Sequence, residues 1–386
     1  MENLYLIHPG KGMSFDILMS EKNTVRVKWS HNPFKDYKQL AFNFYTCGFH
    51  VLAEVLRNQR DVIKRDIWFL SGVYLVRHSI ELGLKALICR ICNKKNEIQT
   101  AFMQCGHSVS MLFQKYSDDG KEACLTAEES IWLKKYLISI EEADGKSDVF
   151  RFPLEESFLS KYAYKFLSIE NIVKNLLQAF ELIEKCLEFE DFPDLYSFDN
   201  SCVPKFLTLS ETGYGCNLWQ PNLKMGFGYK IKAYCDVIDF LYEDKSIRKE
   251  EKLFPLAFMG RNAVELSLKR LLVCRAENGV QREAVRFKRK SHLLRKELWK
   301  NVKPMILEYI GDDEYVKIDD AESLIYQLDS IDKHGDAFRY STTYSLEYHI
   351  DNKVFDIKNT CACCFALANY LEECGEILEE SKKCGM

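Results

Sequence analysis

Apolar positions recur at steps of three and four along most of this chain. Leu40, Phe44, Cys47, Val51 and Val55 form one stripe. Phe166, Ile169, Val173, Leu176, Phe180, Ile183 and Leu187 form a longer one. That period puts each set on one face of a helix, as in a seam packed against partners. The same reading predicts helices over 66–93, 107–117 and 126–142, then over 224–244, 252–277, 283–309, 318–331 and 354–382. Residues 24–29 instead alternate polar and apolar with period two, which predicts a short strand. The fold class expected is mainly α with a small β-rich extension over 1–30.

The helical pattern occurs twice. Residues 77–88 read RHSIELGLKALI and residues 261–272 read RNAVELSLKRLL, with six of twelve positions identical. A histidine follows each segment, His107 thirty residues after Arg77 and His292 thirty-one residues after Arg261. Then come ADGKSDVFRFP, with Asp144 and Arg151, and IDKHGDAFRYS, with Asp332 and Arg339. Three landmarks in one order at nearly one spacing indicate a duplicated domain with a period of about 185 residues. The organisation expected is an extension (1–30), a first bundle (31–190), a linker (191–221) and a second bundle (222–386). A strand at 205–210 is expected to pair with the N-terminal one.

Composition narrows the class. The chain has 386 residues, 47% hydrophobic and 28% charged, with only eight prolines, so it is neither disordered nor low-complexity. The net charge of −4 gives no global pull toward polyanions. Charge is uneven, however. Residues 281–303 hold nine Lys and Arg against two Asp and Glu, a balance of +7, beside an acidic stretch at 312–322. The fifteen cysteines, an odd number, read as reduced thiols serving mainly as core residues. The opening MENLYLIHPGKG has no secretory pattern, and the apolar run at 67–76 is half the ~20 residues of a membrane span. A cytoplasmic protein without membrane attachment is expected.

Candidate chemistry lies at the repeated polar positions. Arg77, Glu81 and Lys85, and again Arg261, Glu265 and Lys269, are spaced i, i+4, i+8 on one helix face. A salt-bridge ladder on a solvated face is the plain reading. Recurrence in both copies favours a larger role. Arg77, His78, Glu81, His107 and Arg151 are the candidate catalytic set, with histidine as general base and arginine as phosphate ligand. Asn262 replaces His78 in the second copy, so chemistry is expected in the first. Arg261, Glu265, Lys269, Arg286, Lys288, Arg289, Lys290, His292 and Arg339 are the candidate phosphate or nucleic-acid contacts. Arg151 and Arg339, each flanked by aromatics, are expected to be half-buried and tied to a carboxylate. Cys89-x2-Cys92 with Cys105-x-His107 has zinc-like spacing, but the cysteines continue apolar stripes, so no metal is expected. Neither a Walker loop nor a GxGxxG motif occurs, and no cofactor is expected.

These residues carry a family resemblance. An E-x3-K helix core (Glu81 and Lys85; Glu265 and Lys269), a histidine at a helix start (His107, His292) and an Arg-aromatic segment (Arg151-Phe152-Pro153; Arg339-Tyr340-Ser341) precede a long last helix. This order resembles the HEPN superfamily (higher eukaryotes and prokaryotes nucleotide-binding) over roughly 35–189 and 222–382. The resemblance implies bundles of four or five helices that pair, here as an internal pseudo-dimer. It also implies RNA cleavage or nucleotide binding, often in prokaryotic defence or toxin–antitoxin systems, with a homodimer or a defence-system protein as further partners. Active members carry R-x4-6-H on the last helix. Here Arg151 is followed by no histidine before the linker, and Arg339 reaches His349 only after nine residues. The expectation is therefore RNA or nucleotide binding. Alternatives are a metal-independent endoribonuclease with a noncanonical Arg/Glu/His site and a structural or protein-partner-binding helical module.

Overall fold

A computed structural model describes residues 7–92, 94–118, 124–162, 164–188, 198–211, 213–220, 222–275, 291–309 and 315–383. The protein is mainly helical. The first half holds α1 (Pro33–Arg57), α2 (Phe69–Ile91), α3 (Lys95–Cys105), α4 (Val109–Asp118), α5 (Ala127–Asp144), α6 (Glu156–Tyr162) and α7 (Ile169–Leu187). The second holds α8 (Leu223–Glu243), α9 (Lys249–Arg275), α10 (Lys300–Tyr309), α11 (Tyr315–Ile331) and α12 (Ile357–Lys383). Short π-helical turns at Lys64–Trp68 and Leu294–Trp299 lead into α2 and α10.

Local chemistry sets several of these boundaries. Asn32 caps α1 by accepting from the Lys35 amide, and Pro33 occupies the first turn, where its missing N–H costs nothing. Thr126 and Glu129 form a reciprocal capping box at the start of α5. Asn222 caps α8 through the Met225 amide. Most predicted helices are present with ends shifted by a few residues. The predicted helix over 283–309 is described only from the turn at Leu294 onward. The short helices α3 and α6 were not in the predicted set.

Two helices form the spine. Residues 69–88 of α2 are buried on every face, and so are residues 252–269 of α9. α2 is packed by α1, α4 and α7, and α9 by α8 and α12. α1 also lies along α9, so the core runs through both halves. Total burial decides against the solvated ladder, the plainer of the two readings of the Arg77/Glu81/Lys85 face. That face is not solvated, because other elements cover it completely.

The strands also depart from expectation. The N-terminal strand β1 (Thr24–Arg26) pairs antiparallel with β4 (Val354–Asp356), not with 205–210. The extension is therefore fastened to the second half. Trp29 Nε1 donates to the Ile350 carbonyl at 2.5 Å, and Asn359 Nδ2 donates to the Ser14 carbonyl at 2.8 Å. Residues 208–210 instead bond to 166–168, at the entry to α7. There β2 (Phe166–Leu167) pairs with β3 (Cys216–Asn217). Period two marks a strand but not its partner. No helix of the described residues is long and apolar enough to cross a membrane.

Candidate functional site: two buried carboxylate–cation clusters

Arg77, Glu81 and Lys85 rise one turn apart on α2. Arg77 Nη1 donates to Glu81 Oε2 at 2.5 Å, and Lys85 Nζ donates to Glu81 Oε1 at 3.1 Å. His107, just before α4, places Nδ1 2.9 Å from Glu81 Oε1. Arg77 Nη2 donates to the carbonyls of His107 and Asp144, each at 3.2 Å, and its Nε lies 3.2 Å from Asp144 Oδ2. Asp144 in turn accepts from the amides of Asp148 and Val149, which closes the turn leading to Arg151.

The second cluster repeats this construction. Arg261 Nη1 donates to Glu265 Oε2, and Lys269 Nζ donates to Glu265 Oε1 at 2.5 Å. His292 Nδ1 sits 2.9 Å from Glu265 Oε1, and Arg261 Nη2 donates to the His292 carbonyl at 2.6 Å. Asp332 accepts from the amides of Asp336 and Ala337 and faces Arg261 Nε at 3.5 Å. The turn needs a left-handed residue three places after the aspartate. Ser147 (φ 57°) fills that place in one half and Gly335 (φ 77°) in the other, with Gly335 packed on the Arg261 guanidinium.

The arginine–aromatic segments cross over. Tyr340, from the second half, donates its hydroxyl to Glu81 at 2.7 Å and sits 3.0 Å from His107 Nδ1. Its ring lies 4.2 Å from Lys85 Nζ. Phe152, from the first half, lies 4.5 Å from Lys269 Nζ and 5.8 Å from the His292 ring. Two further bonds tie the exchanged backbones. His78 Nε2 donates to the Arg339 carbonyl at 3.0 Å, and Asn262, at the equivalent position, donates to the Arg151 carbonyl at 3.4 Å.

This geometry corrects the candidate catalytic set. Arg77, Glu81 and His107 do converge. His78 does not join them; it is fully buried, stacked on Tyr74 and turned toward the Arg339 backbone. Arg151 stands at the second cluster, and Arg339 takes the matching place at the first. Both arginines are buried against the ring that follows them, Phe152 at 4.8 Å and Tyr340 at 4.9 Å. Neither forms a direct ion pair among the described residues; both lie over a ring, and Arg339 Nη2 also donates to the Tyr340 hydroxyl at 2.8 Å. Lys85, Asp144, Asp332, Phe152 and Tyr340 belong to the clusters but not to the predicted site. Their signal was the repeat itself, which holds each at a matching offset.

Electrostatics follow from burial. Desolvation opposes ionisation of Glu81, but Lys85, His107 and Arg77 outweigh it and hold the carboxyl well below its usual range. Glu265 is held down in the same way by Lys269, Arg261 and His292. At His292 the Glu265 carboxylate favours protonation, yet burial with the Lys269 and Arg151 charges brings the imidazole below its ordinary value. Burial, reinforced by Arg339, keeps His78 neutral.

Among the charged and titratable groups of each cluster, the histidine forms the solvent edge. The His107 and His292 side chains are 34% and 39% exposed, whereas Arg77, Glu81, Arg261 and Glu265 are essentially closed off. Each ring is oriented by the contact of its Nδ1 with the carboxylate of its cluster. Arg286, Lys288, Arg289 and Lys290 lie outside the described residues. At the described end of that basic stretch, Lys303 pairs with Glu322 at 2.7 Å and Asp319 at 3.8 Å, so the acidic neighbour neutralises part of it. No group of three or more His, Cys, Asp or Glu side chains suited to a metal ion occurs among the described residues. The chain matches no family model, no curated protein and no solved structure.

Proposed function

We propose that this is a tandem HEPN-like protein whose two helical halves pair as an internal pseudo-dimer and bind RNA or a nucleotide at the histidine edges. The observation that carries the reading is the reciprocal crossing of the two arginine–aromatic segments. Each half completes the other's Arg/Glu/Lys/His cluster, so each edge is built by both halves. Each cluster then gathers three cations against two carboxylates: Arg77, Lys85 and Arg339 at the first, Arg261, Lys269 and Arg151 at the second. A phosphate at the histidine edge meets a net positive field with an oriented imidazole. A defence or toxin–antitoxin setting follows from the family resemblance alone.

The test is a binding titration of the full chain with labelled RNA and with nucleotides at several salt concentrations. Binding that weakens on adding salt, and weakens further in His107→Ala and His292→Ala, supports the reading. Absence of binding at low salt overturns it. Were both variants to bind as the parent does, the edges would not be the site.

A second reading rests on the Glu81–His107 pair. A carboxylate fixes the tautomer of a half-exposed histidine, which is the arrangement of a general base. Endoribonuclease activity independent of metal is then expected at His107, and RNA left intact across pH 5–9 rules it out.

A further inference from the structure

The cysteines fall into two kinds. Most are buried among apolar side chains, and burial pushes the thiols of Cys216, Cys235, Cys361 and Cys364 up. Such thiols are inert packing groups. Cys124 and Cys186 differ. Cys124 stands between α4 and α5 and is half-exposed; Cys186 is buried in the last turn of α7. Their sulfurs are 3.1 Å apart, with the Cys124 thiol directed at Cys186. That is about 1 Å more than a disulfide bond of ~2.05 Å. The Cys186 thiol, with burial opposing, brings Cys124 below the ordinary thiol value, and the Arg90 charge adds to this. Arg90 is fixed there by donating to the carbonyls of Cys186 at 2.6 Å and Leu187 at 3.3 Å.

From this geometry we propose that Cys124 and Cys186 form a peroxide-sensitive thiol pair that closes to a disulfide. The half-exposed Cys124 thiolate attacks one oxygen of a hydroperoxide. The O–O bond breaks, hydroxide leaves, and a sulfenic acid remains on Cys124. The Cys186 sulfur then displaces the sulfenic oxygen, which takes up the Cys186 proton and leaves as water. With hydrogen peroxide as oxidant, two thiols and one peroxide give one disulfide and two waters. The assignment of roles follows exposure: the reachable thiol meets the oxidant and the buried one resolves it. The bond would join the approach to α5 to the end of α7. A dithiol reductant restores the pair.

The test is peptide mapping of the full chain after brief treatment with hydrogen peroxide, quenching, and alkylation under denaturing, non-reducing conditions. The expected result is a linked species joining the Cys124 and Cys186 peptides, two hydrogens lighter than their sum and lost on adding dithiothreitol. Cys124→Ser, at the half-exposed position, leaves Cys186 alkylatable after the same treatment. Two outcomes overturn the proposal: both cysteines alkylated while other cysteines have oxidised, or Cys124 carried to sulfinic acid with Cys186 still free. The wild-type map decides between these without relying on any variant to fold.

Discussion

The two clusters share a plan, and two of their differences bear on the carboxylate and the exchanged backbone. At the first, Tyr340 adds a hydroxyl that reaches Glu81, so this carboxylate collects donors from Arg77, Lys85, His107 and Tyr340. At the second, Phe152 fills the same place with a ring and no hydroxyl, and Glu265 keeps three. The bond to the exchanged backbone comes from a titratable His78 in one half and from Asn262 in the other. Two clusters built alike thus show what the arrangement requires: a carboxylate between two cations and a histidine, covered by an aromatic from the other half. The hydroxyl and the second imidazole are additions at one end only.

The largest expected effect tests the shared part. Glu81→Ala leaves Arg77 and Lys85 buried without their carboxylate, which costs about 3–5 kcal/mol. Glu265→Ala does the same to Arg261 and Lys269. Urea unfolding is the measurement, and both variants should lose most of the folded baseline. Glu81→Ala should be the worse, because it also removes the carboxylate that accepts from the Tyr340 hydroxyl. Variants as stable as the parent would show that these carboxylates do not hold the clusters together.

What the sequence makes legible is local and periodic. The helices of the stripes are found because one buried face repeats every turn. The cluster positions are found because the sequence pattern recurs, with Arg77, Glu81 and His107 in step with Arg261, Glu265 and His292. Pairing between distant segments is not legible. Nothing in ADGKSDVFRFP says that Phe152 enters the cluster of the other half, since periodicity encodes burial and not the partner. β1 met Val354–Asp356 for the same reason. α3 was missed because only Ile98, Ala101, Phe102 and Cys105 mark its buried side. The charges of α2 alone do not choose between a solvated ladder and a buried cluster, because i, i+4 charges look alike on an open helix and inside a closed one.

The next effect breaks the comparison at His78. An imidazole held below its ordinary value when folded takes its proton only on unfolding. Stability therefore falls as pH drops below ~6.5, by up to about 1.4 kcal/mol per pH unit for each such group. His292, lowered in the same direction, adds to this slope. Glu81 and Glu265 behave oppositely in position: their contribution is complete above about pH 4.5 and is lost as pH falls below it. His78→Asn copies Asn262, keeps a donor for the Arg339 carbonyl and removes one titrating group. Unfolding midpoints between pH 7 and 5 should therefore fall less steeply in this variant. Parallel slopes for parent and variant would mean that His78 does not stay neutral in the folded protein.

The smallest effect exchanges the aromatics. Tyr340→Phe turns the first cluster into a copy of the second. It removes the bond to Glu81, worth about 1.5 kcal/mol, and with it the hydroxyl oxygen that accepts from Arg339 Nη2. Glu81 retains its three other donors and Arg339 keeps a ring beside it, so the loss stays short of that in Glu81→Ala. Phe152→Tyr is the converse. Its ring already lies beside Lys269 and His292, as Tyr340 lies beside Lys85 and His107. A hydroxyl placed there should find Glu265 and change stability by less than about 1 kcal/mol. If the halves are equivalent frames, the double variant Tyr340→Phe/Phe152→Tyr moves the hydroxyl to the other end and restores most of the single-variant loss in urea midpoint. A double variant less stable than Tyr340→Phe would show that the second cluster has closed around a ring, with no room for the oxygen.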